Sequence, residues 1–431
     1  MRSALLVLGL LILILPQATP ASDLSVTVLD NGLKVIIQEN HQVPQVNIST
    51  TVRVGAKNET DYFDGATHFL EHLILFRGTE KMTGDEVGNA MKQHGAYFNG
   101  YTSSDWTDFI ISLPGENLDF ALQIHADMLF RSNFPAEEMD KERQAVYEEI
   151  NITEDNPFGK AYRATLGTLY GKHPYSKNVL GTQEKILSIP RDSVYAYYKR
   201  YYAPNNMTMV IIGDVNAQST LNLVKKYFGD FPRGSTPQDM YAPPPVYNKV
   251  QEIKISKDIN QAYLIMAGIG PTIESPDQFA LDIMATVLGS GESSRLWKKL
   301  RDEMGIVYST GFAFYTQKYE GTIFASATLD PDKIPQVEQA IVEILKDVKQ
   351  NGFTETELRK AKNKIKTGFF SSLERGLDRA DSYAQHDAYG DFKFVDRYAD
   401  NIENVTLTQL NEAAKKYLNT DSYVKTTVVP K

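Results

Sequence analysis

The chain of 431 residues exceeds the usual size of a single hydrophobic core, so its length predicts two or more domains. Hydrophobic residues make up 42% of it and charged residues 23%, which is typical of a globular protein. The formal net charge of −9 provides no basic surface for nucleic acid, and we expect no such partner. The chain has no cysteine, which excludes disulfides and leaves His, Asp and Glu as candidate metal ligands.

The N-terminus has the pattern of a signal peptide. Arg2 precedes an apolar run from Ala4 to Leu15, and small residues follow it through Ala21. The run is short for a membrane span, which needs about 20 residues. We therefore expect cleavage after Ala21, which makes residues 1–21 the signal peptide, with an uncleaved anchor as the alternative. The mature protein is then exported, periplasmic or secreted, with no stable membrane span.

The first half of the mature chain alternates strands and helices. Two strand patterns flank Asn31-Gly32, a pair typical of a tight hairpin, and "VNISTTVRVGA" predicts a third strand. A helix then carries the motif in "ATHFLEHLILFRGT". The segment "TGDEVGNAMKQHGA" predicts a helix capped by Thr83 and closed by Gly95. Paired strands in "YFNGYTSSDWTDFIISLP" and a helix in "NLDFALQIHADMLF" follow.

The second half repeats this order. A strand in "QAYLIMAGI" precedes helices in "SPDQFALDIMATVLG" and "SSRLWKKLRDEMG", paired strands in "VYSTGFAFYTQKYEGTIFASATL" and a long helix. Aligning Gly95 with Gly305 superimposes "KQHGAYFNGYT" on "RDEMGIVYSTG". We therefore predict two homologous α+β domains, residues 24–231 and 250–431, joined by the proline-rich linker 232–249.

The segment "ATHFLEHLILFRGT", residues 66–79, carries a candidate metal site on its helix. His68 and His72 are four residues apart and Glu71 lies between them, so all three project from one face. Two neutral imidazoles can bind Zn²⁺ while the glutamate accepts a proton from water, and His-x-x-Glu-His is the inverted zincin motif. Two histidines on an ordinary helix are the alternative, and a third ligand from another element decides between them.

A second helix, between Pro135 and Pro157, supplies that candidate. Glu142 and Glu149 are seven residues apart and share its apolar face, whereas Glu148 points away from it. Carboxylates on a buried face are costly unless they are paired or bind a metal. We therefore predict one zinc ion per chain, held by His68, His72 and Glu149, with Glu142 orienting a histidine. A salt-bridged helix without metal is the alternative.

These motifs resemble those of the insulinase and mitochondrial-processing-peptidase family of zinc peptidases, family M16, in the manner of a small bacterial member with a signal peptide. The resemblance rests on "THFLEH…FRGT", on "KERQAVYEEI", on the spacing from His72 to Glu149, and on the duplication. One extra residue between His72 and Gly78-Thr79 departs from the usual family form and is expected to alter only a turn. The resemblance implies two domains, each a mainly antiparallel sheet packed with helices, that form half of a clamshell.

The resemblance also assigns roles to residues outside the zinc helices. Active family members carry an Arg and a Tyr seven residues apart, which "LRDEMGIVYS" supplies as Arg301 and Tyr308; both side chains are suitable donors to an oxyanion. A surface arginine and a core tyrosine are the alternative. "FNGYTSSDWT" resembles the edge strand that binds substrate, with Asn99 and Thr102 near the cleaved bond. A plain polar strand edge is the alternative there.

The sequence therefore predicts a zinc-dependent endopeptidase that hydrolyses peptides or small unfolded polypeptides, with Glu71 as the base and Arg301 and Tyr308 as oxyanion donors. A non-catalytic scaffold subunit of the same family is the alternative. Because one chain is similar to half of a shell, we expect a homodimer or pairing with a related subunit. His386 with Asp381 and Asp387 could also bind metal, but we favour a solvated helix there.

Overall fold

The computed structural model describes residues 24–60, 63–235 and 238–431. The expected signal peptide, residues 1–21, lies outside the described residues. Within the described ranges, no helix has both the length and the apolar character that crossing a membrane requires.

The described residues contain two mixed β-sheets. The strands are β1 Ser25–Val28, β2 Lys34–Glu39, β3 Gln45–Val52, β4 Tyr97–Thr102, β5 Thr107–Pro114, β6 Met207–Gly213, β7 Gln251–Lys257, β8 Ala262–Ile269, β9 Ser309–Tyr315, β10 Thr322–Leu329 and β11 Val424–Pro430. The first sheet has the order β1-β2-β6-β3-β5-β4 and the second β7-β11-β8-β10-β9. Only β2 with β6 and β7 with β11 pair in parallel among these neighbours.

Helices pack on both sheets. They are α1 Ala66–Phe76, α2 Gly84–Gln93, α3 Leu118–Phe130, α4 Ala136–Asp155, α5 Pro157–Tyr170, α6 Gln183–Ser188, α7 Arg191–Tyr201, α8 Ala217–Phe228, α9 Asp277–Gly289, α10 Ile334–Asn351, α11 Glu355–Ser372, α12 Gly376–Ala388, α13 Phe394–Asn404 and α14 Leu407–Tyr417. The predicted fold class, two α+β domains with mainly antiparallel sheets, is confirmed.

Local sequence signals account for several of these boundaries. Strands β1 and β2 form the predicted hairpin, and Gly32 adopts a positive φ of 90° in its turn. Thr83 caps α2 in a reciprocal pair of hydrogen bonds with Glu86, and Gly95 follows the helix with a φ of 65°. The helix predicted over "SSRLWKKLRDEMG" differs in detail, because Trp297–Glu303 is π-helical.

Helix α5 belongs to the first half of the chain but covers the second sheet. Ala161, Leu169 and Tyr170 pack in one cluster with side chains of β8, β10 and β11. Two buried hydroxyl pairs cross the same contact, Thr165 to Thr426 at 2.7 Å and Tyr170 to Thr322 at 2.8 Å. The apolar side chains and the paired hydroxyls together fix α5 on its sheet.

Helix α12 makes the reciprocal crossing and covers the first sheet. Ala380, Tyr383 and Ala384 pack against apolar side chains of β2 and β6. Asp387 is buried there and accepts hydrogen bonds from Lys34 and Arg53, at 2.6 Å each. The prediction that the helix around His386 is solvated was wrong. The apolar side chains of α12 lie on one face, and this face packs on the first sheet, which is distant in sequence.

We expect Asp387→Ala to lower the free energy of unfolding by about 3 kcal/mol, because Lys34 and Arg53 lose their shared buried carboxylate. Chemical denaturation followed by circular dichroism measures the change. Asp378→Ala is the control on the same helix, since Asp378 pairs with the exposed Arg375 and its loss should cost less than about 1 kcal/mol. Equal effects of the two substitutions would contradict the proposed anchoring role of Asp387.

Candidate metal centre

Helix α1 presents a polar face beside a buried apolar one. Phe69, Leu70 and Leu73 are fully buried in the core of the first domain.

A carboxylate that sequence reasoning missed fixes the start of the helix: Glu59 accepts hydrogen bonds from the backbone N–H groups of Gly65 and Thr67, at 2.7 Å each. These are donors that a helix N-terminus otherwise leaves unpaired. Burial raises the pKa of Glu59 to about 8, although these hydrogen bonds lower it.

Two helices bring three candidate ligands together. Glu149 of α4 places Oε2 3.5 Å from His68 Nε2 and 3.4 Å from His72 Nε2. The three ligand atoms lie within 4.8 Å of one another, and no other group of three or more His, Asp or Glu side chains in the described ranges converges in this way. Two imidazole nitrogens and one carboxylate oxygen are the donor set of catalytic zinc sites. The residues present therefore fit a zinc ion.

Glu142 connects His72 to Arg77. Its Oε1 lies 2.7 Å from His72 Nδ1, and its Oε2 accepts a hydrogen bond from Arg77 Nε. Burial lowers the pKa of His72, but the hydrogen bonds to Glu142 and Glu149 outweigh it and raise the pKa to about 9. Without a metal, His72 therefore carries a proton on both ring nitrogens at neutral pH. A zinc ion would displace the proton of Nε2, and Glu142 would keep the proton of Nδ1 in place.

Different causes set the protonation of the other two candidate ligands, His68 and Glu149. Burial, followed by the charge of His72, lowers the pKa of His68 to about 4. The hydrogen bond from His72 lowers the pKa of Glu149 from its ordinary value. At neutral pH His68 is therefore uncharged and Glu149 ionised, and these are the forms that bind a metal.

Strand β4 lies against Glu71. Thr102 donates a hydrogen bond of 2.5 Å to Glu71 Oε2. Sequence reasoning missed Gly100 on the same strand: a Cβ atom there would lie 2.9 Å from Cγ and Oε1 of Glu71, so the close approach requires glycine. Burial raises the pKa of Glu71 to about 7, although the Thr102 hydrogen bond lowers it.

The other predicted residues take different positions. Glu148 is exposed, one residue from Glu149. Asn99 lies on β4, the edge strand of its sheet. Arg301 and Tyr308 lie in the second domain and are both exposed. Arg301 donates to the carbonyl of Val307 at 2.7 Å, and Tyr308 donates to Asp330 at 2.8 Å. The hydrogen bonds found for these two side chains in the described residues thus stay within the second domain.

The sequence matches two family models that together span most of the chain. Residues 34–183 match the model described as Insulinase (Peptidase family M16), and residues 188–365 match the model described as Peptidase M16 inactive domain. The chain belongs to the insulinase family of peptidases, family M16.

Several relatives and solved structures are similar along nearly their whole length. The uncharacterized zinc protease YmxG of Bacillus subtilis is 27% identical, with 93% of this chain and 97% of YmxG covered. Zinc protease PqqE of Helicobacter pylori is 29% identical, with 90% and 89% covered. The crystal structure of a protease from Helicobacter pylori has a TM-score of 0.90 at 26% identity, with 95% of this chain and 100% of that chain covered.

We expect Glu149→Gln to weaken zinc binding by more than about 100-fold, since losing only an outer partner of a ligand costs roughly 10- to 100-fold. Glu148→Gln is the matched control on the adjacent exposed position and should bind zinc as the wild type does. Competition titration against a chromophoric chelator measures both affinities. Unchanged affinity in Glu149→Gln, or a loss in Glu148→Gln, would refute the assignment.

Proposed function

We propose that the protein is a zinc-dependent endopeptidase that cleaves peptides or small unfolded polypeptides. The observation that carries the proposal is the convergence of His68, His72 and Glu149 on one point, with Glu71 on the same helix face. An acid–base group beside a three-ligand zinc site is the arrangement of metallopeptidases. The names of the relatives, zinc proteases, agree with this chemistry.

His68, His72 and Glu149 would hold one zinc ion per chain, and a bound zinc lowers the pKa of water and polarises a carbonyl. Glu71 is the general base: it accepts the proton of the attacking water and passes it to the leaving amine. Thr102 and Gly100 act on Glu71, the first by its hydrogen bond and the second by leaving room for the carboxylate. Glu142 holds His72 in its ligand orientation.

Edge strand β4 is the proposed substrate platform. It pairs with β5 on one side and is the last strand of its sheet, so its other edge is open to an added strand. Tyr97 and Tyr101 are exposed on it, and Asn99 lies between them. A peptide bound by main-chain hydrogen bonds would lie across α1 with little dependence on its sequence, which suits unfolded polypeptides.

Arg301 and Tyr308 are the proposed oxyanion donors, supplied by a second chain. Both are exposed. The hydrogen bond of Arg301 to Val307 leaves other N–H groups of the guanidinium able to donate, whereas Tyr308 would have to turn its one O–H from Asp330 to the substrate. The periplasmic protease PqqL of Escherichia coli has the same fold at 20% identity, and this chain spans 48% of it. Two copies, or one copy and a related subunit, would complete a shell around the peptide and exclude water.

The same proposal includes export and the domain boundaries. Residues 1–21 would be removed as a signal peptide, and the protein would act in the periplasm or outside the cell. The two domains, 24–231 and 250–431, would be joined by the linker 232–249. Proteinase-accessible sites and the N-terminal sequence of the purified protein test these boundaries.

Glu71→Gln should lower turnover about 10²- to 10⁴-fold and keep one zinc per chain, because the base is lost and the ligands remain. A quenched-fluorescence peptide library measures turnover, and atomic emission measures zinc. If the Glu71→Gln variant binds zinc and turns over substrate as fast as the wild type, Glu71 is not the general base. A wild type that takes up no zinc would instead favour a non-catalytic scaffold.

Mixing inactive Glu71→Gln with inactive Arg301→Ala should restore activity after subunit exchange. Mixed dimers then contain one site with an intact base and an intact oxyanion donor, so up to about half of their sites recover. The control is each variant incubated alone under the same exchange conditions. No recovery despite exchange shown by mass spectrometry, or full activity of a strict monomer, would defeat the arrangement in trans.

A further inference from the structure

A cavity of about 590 Å³ lies in the second domain, between helices α9, α11, α12 and α13. This volume is in the range of small-molecule sites, roughly 300 to 1,000 Å³. Its walls include the side chains of Asp282, Lys364, Phe369, His386, Phe394 and Tyr398. None of the proposed zinc ligands lines it, so it is a separate site from the metal centre.

The internal duplication places this cavity at the counterpart of the metal centre. Aligning Gly305 with Gly95 sets Gln278, Leu281 and Asp282 on His68, Glu71 and His72. Gln278 and Asp282 both line the cavity. Helix α9 contacts α11 just as α1 contacts α4. The helices that correspond in sequence therefore also pack against each other in both halves.

The second helix of the pair follows the same correspondence. Aligning Phe353 with Phe134 sets Ala361 on Glu142 and Gly368 on Glu149. Helices α4 and α11 both begin two residues after these phenylalanines. Gly368 lines the cavity, and a Cβ atom built there meets no other atom within 4 Å. The second copy thus has a core alanine in place of Glu142 and open space in place of the Glu149 side chain.

The remaining groups do not suit a metal ion. The Gln278 amide donates to the carbonyl of Ile273, and Leu281 offers no ligand atom. Asp282, at the position of His72, is the one carboxylate among these counterpart residues, and a single carboxylate with aromatic neighbours is a poor site for a divalent cation. The lining of the cavity therefore suits an organic ligand better than a metal ion.

The chemistry of Asp282 indicates the charge of that ligand. Its carboxylate accepts a hydrogen bond from Tyr398 at 2.8 Å, and no cation of the described residues forms an ion pair with it. Burial raises the pKa of Asp282 to about 7, although the Tyr398 hydrogen bond lowers it. Asp282 is half-buried. A carboxylate drawn away from water is normally paired with a cation, and here the space beside it is a cavity.

The other walls suit a cation with an apolar body. His386 donates from Nδ1 to the carbonyl of Ser382 at 2.8 Å, which leaves Nε2 as an acceptor, and burial lowers its pKa. The rings of Phe369 and Tyr398 lie 4.8 Å apart. Aromatic faces attract ammonium and guanidinium groups. Lys364 is the one basic side chain in the wall other than His386, and it is exposed and donates to the carbonyl of Ser290 at 2.6 Å.

We propose that this cavity, the diverged second copy of the metal centre, binds a small organic cation that pairs its ammonium or guanidinium group with Asp282 and packs its apolar body on the aromatic wall. The proposal is independent of the proposed peptidase activity. A free amine and a basic side chain of a peptide share this chemistry, and the experiment separates them.

Isothermal titration of the full chain with 2-phenylethylammonium should show saturable binding at pH 7.5. The matched neutral and anionic probes, 2-phenylethanol and 3-phenylpropionate, should bind at least about tenfold more weakly, because they lack the charge that pairs with Asp282. A peptide with one lysine, blocked at both termini, tests the second source. If the peptide binds and the free amine does not, the ligand is a side chain; if the amine binds and the peptide does not, it is a free molecule.

Two variants locate the binding. Asp282→Asn should weaken binding of the cation at least about tenfold and leave 2-phenylethanol unchanged. Gly368→Leu should abolish binding by filling the cavity, and the control Gly88→Leu, at another helical glycine whose added Cβ meets nothing within 4 Å, should leave it unchanged. Zinc content, measured in parallel, should be the same in all of them.

Three outcomes would overturn the proposal. The first is the absence of saturable binding of both cationic probes. The second is equal affinity for the cation and for the anionic probe. The third is unaltered binding in Gly368→Leu, with folding of the variant verified by circular dichroism. None of these outcomes bears on the peptidase, which is measured by turnover.

Discussion

The metal centre depends on the packing of helix α4 against α1, and the docking of helix α5 on the second sheet constrains the end of α4. Only Asn156 separates the end of α4 from the start of α5, and its side chain caps α5 through the backbone N–H of Gly159. The position of α5 therefore constrains the end of α4, while Val146 and Ile150, on either side of Glu149, pack in the core of the first domain. Helix α1, with both histidines, belongs to the first domain. A ligand set that must agree to about half an ångström thus depends on the packing of both domains.

The ionic contacts around Glu142 hold the same centre from within the first domain. The carboxylate is 2% exposed and is shared between His72 and Arg77. Such a buried group contributes little net stability, but removing any partner leaves an uncompensated charge. Any other rotamer of His72 would break its hydrogen bond to Glu142 and leave that buried carboxylate with one partner fewer. The histidine is consequently oriented before a metal arrives.

The duplication shows how one scaffold supports two kinds of site. The first copy places imidazoles and carboxylates between its two helices, whereas the second places Asp282 in a cavity beside aromatic rings and Gly368. The sheet and helix order is similar in both halves, so the difference lies in a few side chains on the facing helix surfaces. Function in this molecule is set by those side chains rather than by the fold.

The sequence by itself determined what depends on local period and turn chemistry. The helical repeat places His68 and His72, four residues apart, on one face, and by the same repeat it selects Glu149 rather than Glu148, seven residues after Glu142. The pair Asn31-Gly32 specified the first hairpin. The tertiary structure alone decided the rest. Three contacts join residues that are not neighbours in sequence, so no local pattern predicts them. They are Glu59 with the start of α1, Gly100 with Glu71, and Asp387 with Lys34 and Arg53. The amphipathic pattern of helix α12 is compatible with an exposed helix and with one packed on a sheet. Only the tertiary structure shows that it packs on the first sheet.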